Sequence, residues 1–89
     1  MYRSMSRDHT ISGSARYKRA VCITNRVQEV VDECRLQIRE GKPPPSIPEI
    51  KILIREAVKG EAIIRHYPVS DAEVALAAAQ AKSALGGHS

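Results

Sequence analysis

The order of three segments between residues 15 and 62 most constrains how this chain of 89 residues can fold. Basic and apolar residues alternate along ARYKRAVCIT at 15–24, a pattern that predicts a short β-strand. An amphipathic helical pattern follows at 25–40, and a proline-rich turn leads to a second apolar helix that starts at residue 47. A lone strand leaves its backbone N–H and C=O groups unpaired on both edges. We therefore expect the strand to pair with its twin from a second copy of the chain.

The first predicted helix, residues 25–40, has one apolar stripe. The stripe consists of Val27, Val30, Val31, Cys34 and Ile38. Thr24 or Asn25 can cap its start, because both side chains accept hydrogen bonds from unpaired N–H groups. Gly41 suits the position after its end, and Pro43 cannot continue a helix.

The second predicted helix begins with a recognisable cap. Ser46 and Glu49 have the spacing of a capping box, and Pro48 falls in the first turn, where its missing N–H costs nothing. The apolar residues that follow are Ile47, Ile50, Ile52, Leu53, Ile54, Ala57 and Val58. They form a surface wider than one neighbouring helix needs, which favours a dimer core. The stretch Glu61–Tyr67 fits neither a clear helix nor a clear loop.

A third helix is predicted in the C-terminal segment, residues 68–89. Pro68 breaks the preceding pattern, Ser70 can cap the helix, and the run AEVALAAAQAKSAL has high helix propensity. At the other end, residues 1–14 are polar and lack periodicity, so we interpret them as a flexible basic arm. The sequence thus predicts an arm at 1–14, a strand–helix–helix domain at 15–67, and a C-terminal Ala-rich helix and tail at 68–89.

The residue types argue against several functional classes. Cys22 and Cys34 lack the spacing of a zinc site, and two cysteines do not make a disulfide framework. The three histidines, at 9, 66 and 88, lie far apart, and no serine has a His/Asp arrangement around it. We therefore expect no enzyme, no cofactor and no metal. No apolar run approaches the length of a membrane span, and the N-terminus lacks a signal-peptide core, so we expect a cytoplasmic protein.

Positive charge is concentrated at the N-terminal end. Six of the 14 Lys and Arg residues, but only one of the ten Asp and Glu residues, lie within residues 1–26. A localised basic patch attracts polyanions through counterion release. The absence of Trp and Phe leaves an aliphatic core, and a small domain of this kind often gains buried area from a partner subunit.

The strand–helix–helix order resembles the ribbon-helix-helix family, the dimeric Arc-type repressors and their plasmid relatives. The residues that carry this resemblance are K-R-A-V-C-I at 18–23, the capped helix from residue 25, and S-I-P-E-I-K-I-L-I-R-E-A-V at 46–58. The resemblance covers about 48 residues, from 15 to 62. It implies a mostly α fold with one short β-strand, assembled as an intertwined homodimer, with the C-terminal helix added to it.

The same resemblance implies a set of DNA contacts. Alternate strand residues of the family point outward and contact bases, and here these are Lys18, Ala20 and Cys22. The start of the second helix holds a phosphate, which places Ser46 and Ile47 at the DNA backbone, as expected for the N-terminus of a helix. Ala20 and Cys22 offer no bidentate hydrogen bonds. We therefore expect the basic side chains to bind phosphates; they are Arg16, Lys18, Arg3 and Arg7.

Two functions follow as hypotheses. The first is a DNA-binding protein, as in a repressor, an antitoxin-like autoregulator or a plasmid-transfer accessory factor, which inserts a basic two-stranded ribbon in the major groove of double-stranded DNA. Its C-terminal helix would be free to bind a protein partner, and no membrane is involved. The second is a helical protein–protein adaptor without a nucleic-acid role. In that case residues 15–24 extend the first helix and the apolar face of 47–58 forms the partner groove, so the backbone at 16–23 separates the two hypotheses.

Overall fold

The structure, a computed structural model, describes residues 13–87 of the chain, and within this range every regular element is helical. Four α-helices follow one another: α1 (Gly13–Arg39), α2 (Ile47–Val58), α3 (Ala62–His66) and α4 (Asp71–Lys82). A π-helical turn, Ser83–Gly87, continues from α4. No helix in the described range is long and apolar enough to cross a membrane.

The predicted β-strand at 15–24 is wrong, because this segment forms the first turns of α1. The expectation of a mostly α fold with one short β-strand, assembled as a ribbon-helix-helix dimer, fails with it. A ribbon needs extended backbone that pairs with a second strand, whereas α1 is continuous from Gly13 to Arg39. Beyond the N–H groups of the first turn, the backbone of 15–24 is paired within the helix, so no twin strand is required.

The apolar stripe of α1 extends backwards from the predicted helix. Ile23 lies four residues before Val27, at the helical spacing, and Arg19 lies four residues before Ile23. The alternation at 15–24 was therefore compatible with both periods, and the good helix propensity of Ala, Arg and Lys favours the helical one. Thr24 and Asn25, considered as caps, are interior residues of α1.

Arg19 anchors the N-terminal half of α1 to the loop between α3 and α4. Its Nε donates to the carbonyl oxygen of Tyr67 at 2.9 Å, and its Nη2 donates to that of Pro68 at 2.9 Å. The two Nη atoms also donate to the two carboxylate oxygens of Glu73, at 2.7 and 2.8 Å. A charged side chain can therefore occupy a position of the stripe where an apolar one would be expected. The loop and α4 supply hydrogen-bond partners for its guanidinium group.

The predicted caps of α2 and α4 are confirmed. Ser46 and Ser70 each accept a hydrogen bond from the backbone N–H three residues on, and Glu49 and Glu73 each accept one in return. Gly41 follows the end of α1 with a φ of +98°, a left-handed conformation that residues with a Cβ rarely adopt. The ambiguous stretch 61–67 contains the short helix α3.

The core lies where α1, α2 and α4 meet. It consists of Val30, Val31, Cys34, Ile50, Ile54, Ala77, Ala78 and Ala81, with Val27, Ala57 and Leu85 packed against it. Ile50, in the first turn of α2, is fully buried. The alanines of α4 allow its backbone to approach α1 and α2 closely, so the Ala-rich helix is a structural part of the domain rather than a free appendage.

Candidate functional site

An open groove runs between α1 and α2 on one side of the molecule. Its first part is a cavity of about 350 Å³, and a second part of about 460 Å³ continues from it towards the proline turn. The two parts share Cys34, Gln37 and Leu53, so they form one continuous surface, which we call the α1–α2 groove. Volumes of this order are typical of binding sites in proteins.

The first part of the groove has an apolar floor and an acidic rim. The floor consists of Val30, Cys34, Leu53 and Ala57. Glu29 and Glu33, one turn apart on α1, stand on one lip, and Glu56 of α2 stands on the other. No Lys or Arg lines this part, although the chain as a whole carries a net charge of +4. This first part of the groove is therefore a local acidic region in a basic protein, whereas Lys42 and Glu49 both line the second part.

The rim carboxylates have only weak partners. Glu29 lies 3.1 Å from Nη2 of the half-buried Arg26, and Glu56 lies 2.8 Å from Nζ of the exposed Lys59; in both pairs the carboxylate is exposed and the partner is three residues away. Glu33 accepts a hydrogen bond from Nε2 of Gln37 at 3.2 Å. Exposed pairs of this kind contribute little to stability, so an incoming cation can replace them at small cost.

The second part of the groove ends at the proline turn. Pro43, Pro44 and Pro45 form its wall, with Ile52 of α2 beside them. Nζ of Lys82 donates to the carbonyl oxygen of Pro45 at 2.8 Å and so ties the turn to the end of α4. Proline fixes φ, and this hydrogen bond fixes the position of the turn, so this end of the groove is preformed.

The apolar surface of α2 is divided between two directions. Ile50, Ile54 and Val58 are buried in the core, whereas Ile52 is 61% exposed and Leu53 42% exposed. Large apolar side chains that cluster around an open groove are typical of interaction sites.

The residues predicted to contact DNA do not form one surface. Arg16, Lys18 and Ala20 are exposed on the first turns of α1, but they project around a helix and not from one face of a strand. Successive alternate residues of a helix lie about 200° apart, so the three do not share a face. Arg3 and Arg7 lie outside the described residues. A β-ribbon therefore does not present Lys18, Ala20 and Cys22 together, and their contact with DNA stays a prediction.

Ser46 and Ile47, the predicted phosphate clamp, lie at the far end of α1 from Arg16. Because α1 rises about 1.5 Å per residue, Arg16 and Arg39 are separated by roughly 35 Å along its axis. The start of α2 is also occupied by its own capping box. Glu49 accepts the N–H of Ser46 and places a carboxylate where a phosphate would have to bind. A phosphate at this N-terminus would meet that negative charge.

Both cysteines are free thiols without the environment of a nucleophile. Burial, above all, and the nearby carboxylate of Glu61 raise the pKa of Cys22, which is half-buried on α1 rather than exposed on a ribbon. Burial likewise raises the pKa of Cys34, which is 2% exposed at the floor of the groove. A raised pKa leaves less thiolate at neutral pH, so neither side chain is activated.

The adaptor hypothesis placed a partner groove at the apolar face of 47–58, but the sequence did not reveal the acidic rim, because the helices were considered one at a time. Glu29 and Glu33 border the apolar stripe of α1 at i and i+4, and Glu56 borders that of α2, so the acidic edges were visible. That these edges face each other depends on how the two helices pack. Among residues 13–87 there is no group of three or more His, Cys, Asp or Glu side chains that could hold a metal ion.

Comparison with known proteins adds no assignment to this geometry. No protein-family model, no curated protein and no solved structure matches the chain.

Proposed function

We propose that the protein is a helical protein–protein interaction module whose α1–α2 groove binds an amphipathic helix with basic flanks. The observation that carries this proposal is the combination of an apolar floor with carboxylates on both lips. An amphipathic helix places apolar side chains at i and i+4 on the floor and leaves the flanking positions over the lips. Lys or Arg at those positions would meet Glu29 and Glu33 on one side and Glu56 on the other.

The chemistry of the floor supports binding rather than catalysis. Cys34 is the nucleophilic side chain that lines the groove, and its buried thiol has a raised pKa. The rim carboxylates lie at the surface in contact with solvent and their helical neighbours. Apolar contacts supply affinity in such a groove, and the rim charges supply orientation and selectivity.

The DNA-binding hypothesis retains few of its expected contacts. Four of the basic residues at the N-terminal end lie in the described range. Arg19 is bound to Glu73, and Arg26 lies near Glu29 and Glu61. Arg16 and Lys18 remain exposed and form no ion pair with another described residue. Two free cations on a helix support weak electrostatic attraction to a polyanion, which does not distinguish DNA from other acidic surfaces.

A titration with synthetic helices tests the proposed function. The probe is a fluorescently labelled peptide built from Leu and Lys with leucines along one helical stripe, and its matched control carries Glu in place of Lys. We expect fluorescence anisotropy to show that the Lys peptide binds at least about tenfold more tightly than the Glu peptide. Leu53→Asp should abolish this binding by placing a charge on the apolar floor.

Two control variants make the result specific to the groove. Leu76→Asp introduces the same change on the exposed side of α4, and Glu40→Lys reverses an exposed charge outside the groove. Both should bind the Lys peptide as the wild type does. Equal binding of the two peptides, or unchanged binding by Leu53→Asp, would contradict the proposal.

If a labelled DNA duplex binds more tightly than the Lys peptide and competitor DNA of another sequence fails to displace it, the DNA-binding hypothesis takes first place.

A further inference from the structure

The first turns of α1 carry a surface complementary to the α1–α2 groove. Tyr17 is 72% exposed, and Val21, one turn further on, is also exposed. Residues four apart lie on the same side of a helix, so the two side chains form a short apolar ridge. Arg16 and Lys18 are exposed beside it. Since adjacent residues are about 100° apart, they flank Tyr17 on opposite sides.

The ridge and the groove agree in chemistry and in arrangement. The ridge is apolar with a cation on each flank, and the first part of the groove is apolar with carboxylates on each lip. With Tyr17 and Val21 over the floor, Arg16 and Lys18 would lie over opposite lips. Arg16 and Lys18, which form no ion pair with another described residue, would then both face anions.

We propose that the helix bound in the α1–α2 groove is the Tyr17–Val21 ridge of a second copy of this chain. The inference rests on the proposed function and names the partner for it. A helix cannot dock its own first turns against its own later turns, and α1 is one continuous helix through both surfaces. The contact is therefore between molecules.

The position of the two surfaces defines the kind of assembly. Along α1 they are centred roughly 20 Å apart, and around its axis they differ by about 80° to 180°. Each chain can therefore donate its ridge to one neighbour while its groove receives the ridge of another. Such a contact is heterologous, so association continues head to tail and does not stop at a two-fold dimer.

Sedimentation equilibrium of the full chain provides the test. We expect the average mass to rise above the 9.8 kDa of one chain as protein concentration increases, and to pass that of two chains. The rise should weaken in high salt, since the rim contacts are charge pairs. The double variant Arg16→Glu/Lys18→Glu should raise the dissociation constant about tenfold or more, because it places carboxylates opposite the carboxylates of the groove.

A mixture of two defective variants separates this assembly from other kinds. The double variant Tyr17→Asp/Val21→Asp loses the ridge but keeps the groove, and Leu53→Asp loses the groove but keeps the ridge. Each variant alone should be a monomer. A mixture should form heterodimers and nothing larger, because the intact ridge of one variant can bind only the intact groove of the other. Leu76→Asp is the matched control and should associate as the wild type does. Glu33→Lys, an exposed position, replaces Leu53→Asp if circular dichroism shows that the latter is unfolded.

Each result has a distinct meaning. A wild type that stays monomeric at all concentrations, or a variant mixture that stays monomeric, would overturn the head-to-tail contact. Assemblies larger than a heterodimer in the variant mixture would overturn it as well. Binding of the Leu/Lys peptide by a monomeric wild type would leave the proposed function standing without this partner. If the wild type neither associates nor binds the Leu/Lys peptide, the groove is not a binding site.

Discussion

At the scale of single residues, Arg19 accounts for how the N-terminal half of α1 is held. Its side chain is only 16% exposed, and its guanidinium is satisfied by two backbone carbonyls and the carboxylate of Glu73. Glu73 in turn accepts the N–H of Ser70 at the start of α4. One ion pair therefore links α1, the loop before α4 and the cap of α4. Hydrogen bonding to Arg19, above all, lowers the pKa of Glu73 to about 2.

This pKa shift predicts a specific acid sensitivity. Because the pKa of Glu73 is lower in the folded chain than its ordinary 4.5, the ion pair stabilises the fold above about pH 4.5. The contribution is lost as pH falls towards 2. When the pH is lowered from 5 to 2.5, the free energy of unfolding should fall by about 1 kcal/mol less in Glu73→Gln than in the wild type. The expected difference is this small because the carboxylate is partly exposed. Urea unfolding at the two pH values measures this, with Glu40→Gln as the control. Parallel losses in all three proteins would exclude the ion pair as the cause.

At the scale of the elements, α1 is the helix on which both proposed surfaces depend. Its first turns carry the Tyr17–Val21 ridge, and its second half forms one lip of the groove. The capping residues Ser46 and Ser70 were sufficient to predict correctly where α2 and α4 begin. The start of α1 is less clearly marked in the sequence, because no acidic residue lies in its first turn and its stripe ends at the polar Arg19.

The continuity of α1 predicts the effect of a proline within it. Ala20 is exposed, so Ala20→Pro changes little packing but removes one helical hydrogen bond and clashes with the preceding turn, at about 3 kcal/mol or more. We expect residues 13–19 to unwind while residues 21–39 stay helical. Backbone chemical shifts provide the measurement.

Ala20→Gly is the milder comparison and should cost about 1 kcal/mol without unwinding. Extended chemical shifts at 16–23 in the wild type would show that α1 does not begin at Gly13.

At the scale of the whole molecule, α2 is central to a single core. Ile50 and Ile54 are buried between the valines of α1 and the alanines of α4. The helices α1, α2 and α4 therefore share one set of apolar contacts and should unfold together. The opposite side of α2 remains open as the groove, so stability and binding use different faces of the same helix.

This shared core predicts graded losses on truncation of Ile50. Ile50→Val should lower the free energy of unfolding by about 0.5–1.5 kcal/mol and Ile50→Ala by about 2–5 kcal/mol, because each leaves a larger cavity. Thermal unfolding followed by circular dichroism should show one transition in the wild type and in Ile50→Val. Ile52→Ala, at an exposed position of the same helix, should change stability by much less. Two separate transitions would contradict a shared core.

Local chemistry alone determined much of this protein. Capping residues defined where α2 and α4 begin, Gly41 and the prolines defined where α1 ends, and the stripe from Val27 to Ile38 defined which side of α1 is buried. These features depend on neighbours within a few residues, so sequence spacing reveals them.

Tertiary contacts decided the rest. The alternation at 15–24 fits a strand as well as a helix, and the partners of Arg19 that hold it as a helix lie 48 to 54 residues away in the sequence. The groove likewise depends on the packing of α1 against α2, which brings Glu29 and Glu33 opposite Glu56. No local spacing encodes either contact. The beginning of α1 and the acidic groove therefore became visible only in the folded chain.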